Sequence, residues 1–221
     1  KPRILVCAPS NGAVDEIVSR FLSEKFIDGC GIEYTPEIAR VGGGDKVNDA
    51  AKDVVAETLA EKFYIALFPS SRTSALALAA PPPEELAVKR EAWLNKLTAK
   101  KEQLMNKWDN TLITPENRGA VLDICENVER LDRELRRYMI ASANDLNEEE
   151  KLRLIAKAYI EDANIVFATL SGAAILQGAS LSQTKWSAGE GVSFDTVIID
   201  EAAQATELSC LVPLILGPKK C

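Results

Sequence analysis

The clearest structural signal in this sequence is FDTVIIDE, residues 194–201. A short apolar run rich in Val and Ile is typical of a strand buried inside a parallel sheet. We interpret residues 194–199 as such a strand, which ends directly in two acidic residues, Asp200 and Glu201. Because ligands of α/β proteins bind at the carboxyl ends of the strands, this pair is the first candidate functional site. The alternative is an ordinary strand that leaves the core into an acidic turn.

Three further apolar runs predict buried strands, at residues 3–8, 38–41 and 165–169. Between the strands, apolar residues recur at helical spacing. The predicted helices lie after Ser10, at about residues 47–63, at about 148–160, and from the acid pair through residue 216. Strands that alternate with helices indicate an α/β fold with a parallel sheet.

The turn after the first strand is the second candidate site. Residues 7–15 read CAPSNGAVD, in which Ser10 or Asn11 can cap the following helix and Asp15 can lie in its positive first turn. Free backbone N–H groups at such a helix start, with the Ser and Asn side chains, can hold a phosphate. A routine capped turn without a ligand is the alternative.

A third candidate site follows the strand at residues 165–169, where ATLSGA occupies residues 168–173. It too is a strand end that opens into small polar residues. Thr169, Ser171 and Gly172 can hold a second phosphate, or they can simply cap a helix.

The composition limits the chemistry that these sites can perform. The 221 residues contain no histidine, which excludes His-based triads and most catalytic zinc sites. Five scattered cysteines without a C-x-x-C pair indicate reduced thiols in an intracellular protein. The net charge of −7 argues against a nucleic-acid binder that works through a basic surface, so any nucleic-acid site must be local. No apolar run approaches the ~18 residues of a membrane span.

A long insertion separates the first two predicted strands from the last two. Residues 69–83, rich in Ser, Ala and Pro, are typical of a linker. Heptad spacing of apolar residues then predicts an antiparallel helical hairpin at about residues 84–142, with arms about 35 Å long and a turn at 110–117. We expect four segments: the two parts of the sheet domain at 1–68 and 163–221, the linker at 69–83, and the helical insertion at 84–162.

Three segments resemble motifs of the superfamily 1 helicases. CAPSNGAVDEI (residues 7–17), ATLSGA (168–173) and FDTVIIDEAAQATEL (194–208) are similar to motifs Ia, Ib and II of that superfamily. Within it they resemble the Upf-like group, and the senataxin-type helicases best. That group also carries a helical insertion, the prong, between motifs Ia and Ib, where the predicted hairpin lies. RVGGGDKVN (residues 40–48) is similar to the segment that precedes this insertion.

The resemblance implies an incomplete RecA-like domain of the P-loop NTPase class, with an inserted helical hairpin. The implied activity is that of an ATP-driven motor that moves 5′ to 3′ on single-stranded RNA or DNA, as a monomer in the nucleus. Asp200 would hold Mg²⁺, Glu201 would be the catalytic base, and Gln204 would connect the ATP site to the rest of the motor. The implied contacts with the nucleic-acid backbone are Ser10, Asn11, Thr169, Ser171 and Gly172.

Parts of a complete motor do not occur in this sequence. It contains no G-x-x-x-x-G-K-S/T loop, and we expect that loop before Lys1. The third helicase motif and the second RecA-like domain, with its arginine finger, are expected after Cys221. We therefore predict that this segment alone does not hydrolyse ATP.

Two other classes of protein stay open at this point. Residues 170–173 (LSGA) before the acidic strand, together with a coiled coil, resemble an ABC-type ATPase of the chromosome-maintenance kind, but those proteins use a switch His. The other class is a non-enzymatic module in which the α/β part is only scaffold and the hairpin docks a protein partner. The mixed charges of the hairpin fit a solvated coiled coil, so it can be a docking arm, a spacer or a wedge that guides strands.

Overall fold

The computed structural model describes residues 2–27, 31, 33–42, 47–68, 129–177 and 192–220, together with helical positions 88, 91–92, 94–95, 98–99 and 102. The chain divides into two compact units, one formed by Lys1–Glu61 with Tyr159–Cys221 and the other by Lys62–Ala158. The predicted linker at 69–83 and the hairpin turn at 110–117 lie outside the described residues.

The first unit is built on a parallel sheet. In the described part of the chain the strands are β1 (Ile4–Ala8), β2 (Phe26–Ile27), β3 (Glu33–Tyr34), β4 (Ile38–Val41), β5 (Ile165–Thr169) and β6 (Thr196–Ile199). Four of them form one sheet in the order β4-β5-β1-β6, with every neighbouring pair parallel. The short β2 and β3 form a separate antiparallel pair, which the sequence patterns did not predict. The α/β class with a parallel, RecA-like sheet is confirmed.

Helices alternate with these strands along the chain. They are α1 (Asn11–Ser23), α2 (Asp49–Lys52), α3 (Ala56–Leu67), α4 (Glu148–Asp162) and α5 (Glu207–Leu214), with single 3₁₀ turns at Gly172–Gln177 and Ala202–Gln204. One face of β1, with Val6 and Ala8, packs against Val14 and Val18 of α1. The opposite face of β1 is also buried, because Leu5 and Cys7 have no exposed surface. Burial on both faces explains why this strand is apolar throughout rather than alternating.

The prediction of one helix over residues 47–63 is wrong. The chain forms α2 and α3 instead, and residues 53–55 between them turn toward the sheet. The amide of the buried Arg40 donates to the Val54 carbonyl oxygen (2.8 Å), and Arg40 forms a parallel bridge with Val55. Because β4 is an edge strand, the buried amide of Arg40 needs an acceptor from outside the sheet. The non-helical residues 53–55 supply it.

The predicted helix that begins at the acid pair is also wrong at its start. The chain first makes the 3₁₀ turn Ala202–Gln204, and α5 begins only at Glu207. Thr206 caps α5, since its side-chain oxygen accepts a hydrogen bond from the Ser209 amide at 3.2 Å. A threonine that satisfies a free N–H group in this way favours a fresh helix start over a continuous helix.

Arg3 joins the end of α4 to the start of β1. Its guanidinium donates to the carbonyl oxygens of Ile160 (2.7 Å) and Ala163 (3.3 Å), which lie at the carboxyl end of that helix. The same group lies over the ring of Phe194, 5.0 Å from its centre. A cation at a helix carboxyl end satisfies carbonyl groups that have no helical partner, so Arg3 fixes where the insertion returns to the sheet.

Most of the described residues of the second unit are helical. Residues 129–141 are helical, and α4 begins with a capping box in which Asn147 and Glu150 bond to each other's backbone amides at 2.9 and 3.0 Å. Tyr138, Ala141 and Ile155 are buried. Among the described residues, no helix is long and apolar enough to cross a membrane. The boundaries of the linker and the hairpin stay predictions.

Cys7 provides a test of the buried centre of the sheet. Burial raises the pKa of its thiol to about 12 from an ordinary value of 9.0. Above pH 9 the unfolded chain therefore loses this proton while the folded chain keeps it, so the free energy of unfolding falls as the pH rises. We expect Cys7 to contribute a loss of about 1 kcal/mol per pH unit. Denaturant unfolding at pH 8 and pH 10 measures it.

The control is Cys7→Ala. Its free energy of unfolding should fall less between pH 8 and pH 10 than that of the wild type, because the contribution of the Cys7 thiol is missing while the contributions of other groups remain. Parallel pH profiles of the two proteins would contradict the burial of the thiol.

Candidate functional site

The parallel sheet brings the three predicted sites to one edge. The Leu170 amide donates to the Ala8 carbonyl oxygen at 3.0 Å, and the Asp200 amide donates to the Cys7 carbonyl oxygen at 2.8 Å. These bonds continue the register of the strands, in which Ala8 pairs with Thr169. The carboxyl ends of β5, β1 and β6 therefore lie side by side, at the position where α/β proteins bind ligands.

The acid pair stands fully at the surface of this edge. Asp200 and Glu201 are both exposed, and neither carboxylate forms a hydrogen bond or ion pair with a described residue. Glu201 has φ 52° and ψ 34°. This is the left-handed backbone conformation, which costs a residue other than glycine about 1–2 kcal/mol. The Gln204 amide donates to the Glu201 carbonyl oxygen at 2.9 Å and closes the turn, which places Gln204 at the surface nearby. This sharp turn keeps both carboxylates at the end of β6.

The turn at Ser10 leaves hydrogen-bond donors at the start of α1. Of the two caps that the sequence allowed, Ser10 is the one used, since its Oγ accepts from the Ala13 amide at 3.2 Å. Its hydroxyl still has a proton to donate. The Asn11 and Gly12 amides have no partner among the described residues, as expected for the first turn of a helix. Donors at a helix start suit an anionic ligand.

Thr169, Ser171 and Gly172 form a compact turn after β5. The Gly172 amide donates to Thr169 Oγ1 at 3.0 Å, and the hydroxyls of Thr169 and Ser171 are 3.4 Å apart. The hydroxyl of Thr169 is thus partly used in shaping the turn, whereas Ser171 is exposed. These hydrogen bonds are compatible with both interpretations of the segment, a ligand site and a local cap.

The site has two parts. The polar turns follow the two central strands, β5 and β1. The acid pair follows β6, the last strand in the order β4-β5-β1-β6. Neighbouring strands lie about 4.8 Å apart, so Thr169 and Asp200, two strands apart, are separated by roughly 10 Å across the sheet. A ligand on the turn after β5 and a ligand on the acid pair can therefore be different molecules, while the Ser10 turn, after β1, lies between them.

Sequence reasoning missed a buried ion pair beneath the Ser10 turn. Arg40 Nε and Asp15 Oδ1 are 2.7 Å apart, and their side chains are 0% and 2% exposed. The expectation that Asp15 supports the positive first turn of α1 is therefore wrong, because this side chain faces the sheet. An arginine inside the otherwise apolar strand IARV was the available signal, since a buried charge requires a partner of opposite charge.

The parallel sheet, with polar turns at the carboxyl ends of its strands, has the architecture of an incomplete RecA-like α/β domain. A family model described as an AAA domain, AAA_11, matches residues 1–221, and the chain belongs to that family.

Several helicases are similar to the chain along its whole length. It is 34% identical over 233 residues to Helicase SEN1 of Saccharomyces cerevisiae, and the matched region covers 100% of this chain and 9% of that protein. It is 32% identical over 236 residues to Helicase sen1 of Schizosaccharomyces pombe, covering 100% of this chain and 12% of that protein. The chain thus spans about a tenth of the length of these curated relatives. The resemblance to the senataxin-type helicases is confirmed.

The close packing of the turn after β5 can be tested at Gly172. A Cβ added there would lie 2.7 Å from Thr169 Oγ1, closer than such atoms approach each other. We expect Gly172→Ala to displace the Thr169 hydroxyl and lower the free energy of unfolding by about 1–2 kcal/mol. Chemical denaturation of the two proteins measures the difference.

Gly12→Ala is the matched control, because no atom lies within 4 Å of a Cβ added at Gly12. Its position in α1 should make that change neutral or stabilising. Equal stability of Gly172→Ala and the wild type would show that the turn adapts without strain.

Proposed function

We propose that this chain is part of an ATP-driven helicase motor that moves 5′ to 3′ on single-stranded RNA or DNA. The observation that carries the proposal is the shared sheet edge, with the acid pair after β6 and the polar turns after β1 and β5. Membership of the AAA domain family and similarity to Sen1 helicases support it. In such a motor, one part of the edge handles the nucleotide and the other holds the strand.

Asp200 is the proposed ligand of a nucleotide-bound Mg²⁺ ion. An exposed carboxylate suits this role, because Mg²⁺ in nucleotide sites takes one or two protein carboxylates, together with phosphate oxygens and water. Among the described residues, no group of three or more Asp, Glu, Cys or His side chains could hold a metal without a nucleotide. When bound, the ion supplies positive charge against the phosphates during transfer.

Glu201 is the proposed base that orients and deprotonates the attacking water. Its carboxylate follows Asp200 directly, is open to solvent and makes no contact with a described residue that would compete for a proton. The left-handed backbone of Glu201 turns the chain immediately after β6. Gln204, in the next turn, is the proposed connection between the ATP site and the rest of the motor.

Ser10, Asn11, Thr169, Ser171 and Gly172 are the proposed contacts with the nucleic-acid backbone. Their hydroxyl, amide and backbone N–H groups are neutral donors, which bind phosphates without a basic surface. This chemistry reconciles a nucleic-acid function with a net charge of −7. Contacts of this kind position a strand and do not read its bases.

The ABC-type alternative is less well supported. Leu170 follows β5 directly and leads into the 3₁₀ turn Gly172–Gln177 rather than out of a coiled coil. Location in the nucleus and a monomeric state remain proposals that rest on the resemblance. A protein partner on the hairpin at 84–142 remains a proposal from the mixed charges of that segment, and inactivity of this segment alone remains a prediction from the missing G-x-x-x-x-G-K-S/T loop.

The decisive test of the nucleotide site is Glu201→Gln in the full-length protein. We expect ATP to bind with unchanged affinity while turnover falls about 10²–10⁴-fold, because an amide cannot accept the proton of the water. ATPase rates with and without single-stranded RNA, beside ATP binding by calorimetry, measure both properties. Glu207→Gln, an exposed acid on α5, is the control and should retain full activity. Turnover within a few-fold of the wild type in Glu201→Gln would assign the base to another residue.

The strand contacts are tested by Ser10→Gly and Ser171→Ala. Glycine removes the Ser10 hydroxyl at little cost to the helix cap, so the change reports on binding rather than on folding. We expect each variant to weaken binding of single strands by about three- to tenfold, equally for different base sequences, with no change in ATP affinity. Fluorescence anisotropy with oligonucleotides of several sequences provides the measurement.

Ser23→Ala, at the other end of α1, is the control and should bind strands normally. If the two variants lose ATP affinity instead, the turns belong to the nucleotide site and not to the strand.

A further inference from the structure

The first turn of α1 is tied to β4 by a set of buried polar side chains. Arg40 is fully buried and directs its guanidinium toward α1, where Nε donates to Asp15 Oδ1 at 2.7 Å. Its Nη1 donates to the Gly42 carbonyl oxygen, just beyond the end of β4. The other carboxylate oxygen of Asp15 accepts from the Asn48 amide at 2.8 Å. The ion pair therefore connects three separate segments of backbone.

The same guanidinium reaches one of the proposed strand contacts. Arg40 Nη2 donates to the side-chain oxygen of Asn11 at 2.9 Å. A guanidinium has only donors, so the amide of Asn11 must turn its oxygen toward Arg40 and its NH₂ group away. Rotation of the amide by half a turn would set donor against donor beside a buried positive charge. The orientation of this amide is therefore imposed by Arg40.

The NH₂ group of Asn11 has no partner in the part of the chain that the structure describes. No described residue accepts a hydrogen bond from it, and Asn11 is only half-buried, beside the exposed Ser10. The group lies at the sheet edge that carries the other donors, the Ser10 hydroxyl and the amides of the first turn. Its ligand must be a hydrogen-bond acceptor, and among the parts of a nucleic-acid strand the phosphate oxygen is the acceptor that recurs at every position.

We propose that Arg40 is a positioning residue that fixes the Asn11 amide with its NH₂ group toward a backbone phosphate of the bound strand. This inference rests on the proposed function and adds the polarity of one contact and the residue that sets it. Asp15 takes part by holding the guanidinium in place. Lysine could balance the charge of Asp15, but its single amino group lacks the planar fork that reaches both Asp15 and Asn11.

The primary test compares Asn11→Asp with Asn11→Ala in the full-length protein. Aspartate keeps the shape of the side chain and an oxygen for Arg40, so the variant should fold as the wild type does. It replaces only the NH₂ group, by a carboxylate oxygen that repels a phosphate. We expect Asn11→Ala to weaken binding of a single-stranded oligonucleotide about fivefold, through loss of one hydrogen bond, and Asn11→Asp to weaken it at least about threefold more. The KM for the strand should rise while kcat at saturating strand stays unchanged.

The opposite ranking identifies a structural role. If Asn11→Asp binds the oligonucleotide as the wild type does, binding requires only the side-chain oxygen that accepts from Arg40, and the proposed contact with phosphate is wrong. If Asn11→Asp and Asn11→Ala lose the same affinity, repulsion is absent and the NH₂ group does not face a phosphate.

The part played by Arg40 is tested by a double-mutant cycle with Arg40→Lys. We expect Arg40→Lys to weaken strand binding about threefold in the wild type and less than about 1.5-fold in Asn11→Ala, because its effect on the strand passes through that amide. Equal losses in both backgrounds would overturn the positioning role. Should Arg40→Lys fold poorly, a crystal structure of the full-length protein with a bound single strand supplies the second route, because the Asn11 side chain must then contact both Arg40 and a phosphate. An Asn11 amide that contacts only one of the two overturns the positioning role.

The failure of this inference differs from a failure of the proposed function. If the wild-type full-length protein does not bind single strands at all, the proposed function is wrong. If the wild type binds and the rankings above are not observed, only the assignment of Arg40 and Asn11 is wrong.

Discussion

The parallel pairing of β1 with both β5 and β6 is the constraint on which the rest of the first unit depends. Ile4 pairs with Ile165 on one side and with Thr196 on the other, so residues far apart in the sequence must meet before either neighbour is in place. Closing loops of this length costs chain entropy, which the burial of β1 on both faces offsets. Each candidate site consists of a strand end in this arrangement. The functional edge therefore forms only when the two halves of the unit, on either side of the insertion, have joined.

The buried pair of Arg40 and Asp15 acts on a smaller scale within that frame. A buried ion pair contributes little net stability, because desolvation of both charges opposes their attraction, whereas the loss of one partner leaves a costly unpaired charge. The pair is better understood through what it aligns. It ties the first turn of α1 to the end of β4 and to the segment before α2, and an apolar pair of the same size could not specify the direction of the hydrogen bonds. The buried ion pair thereby fixes the position of side chains in the polar turn at the surface.

An acidic chain can hold an anionic strand when its contacts are neutral donors and its own acids lie elsewhere on the same edge. The donors cluster after β1 and β5, while Asp200 and Glu201 follow β6. The two carboxylates suit a cation bound to a nucleotide, and the turn after β5, two strands away, is far enough from them to limit repulsion of the nucleic acid there. The order of the strands thus separates two ligands that would otherwise compete for one charge environment.

The sequence by itself determined the elements that depend on local pattern. β4 and β5 begin and end where the apolar runs predicted, and α1 is capped by Ser10, one of the two residues whose type indicated a cap. The acid pair was also visible, because two carboxylates directly after a buried strand form a local signal. Only the tertiary structure decided which groups meet from distant segments. It interrupted the helix predicted at 47–63, since the edge strand needed an acceptor for the Arg40 amide, and it paired Asp15 with Arg40 beneath the turn. The orientation of Asn11 follows from that pairing, and helical or strand periodicity carries no record of it, because periodicity describes which face of an element is buried and not what lies opposite.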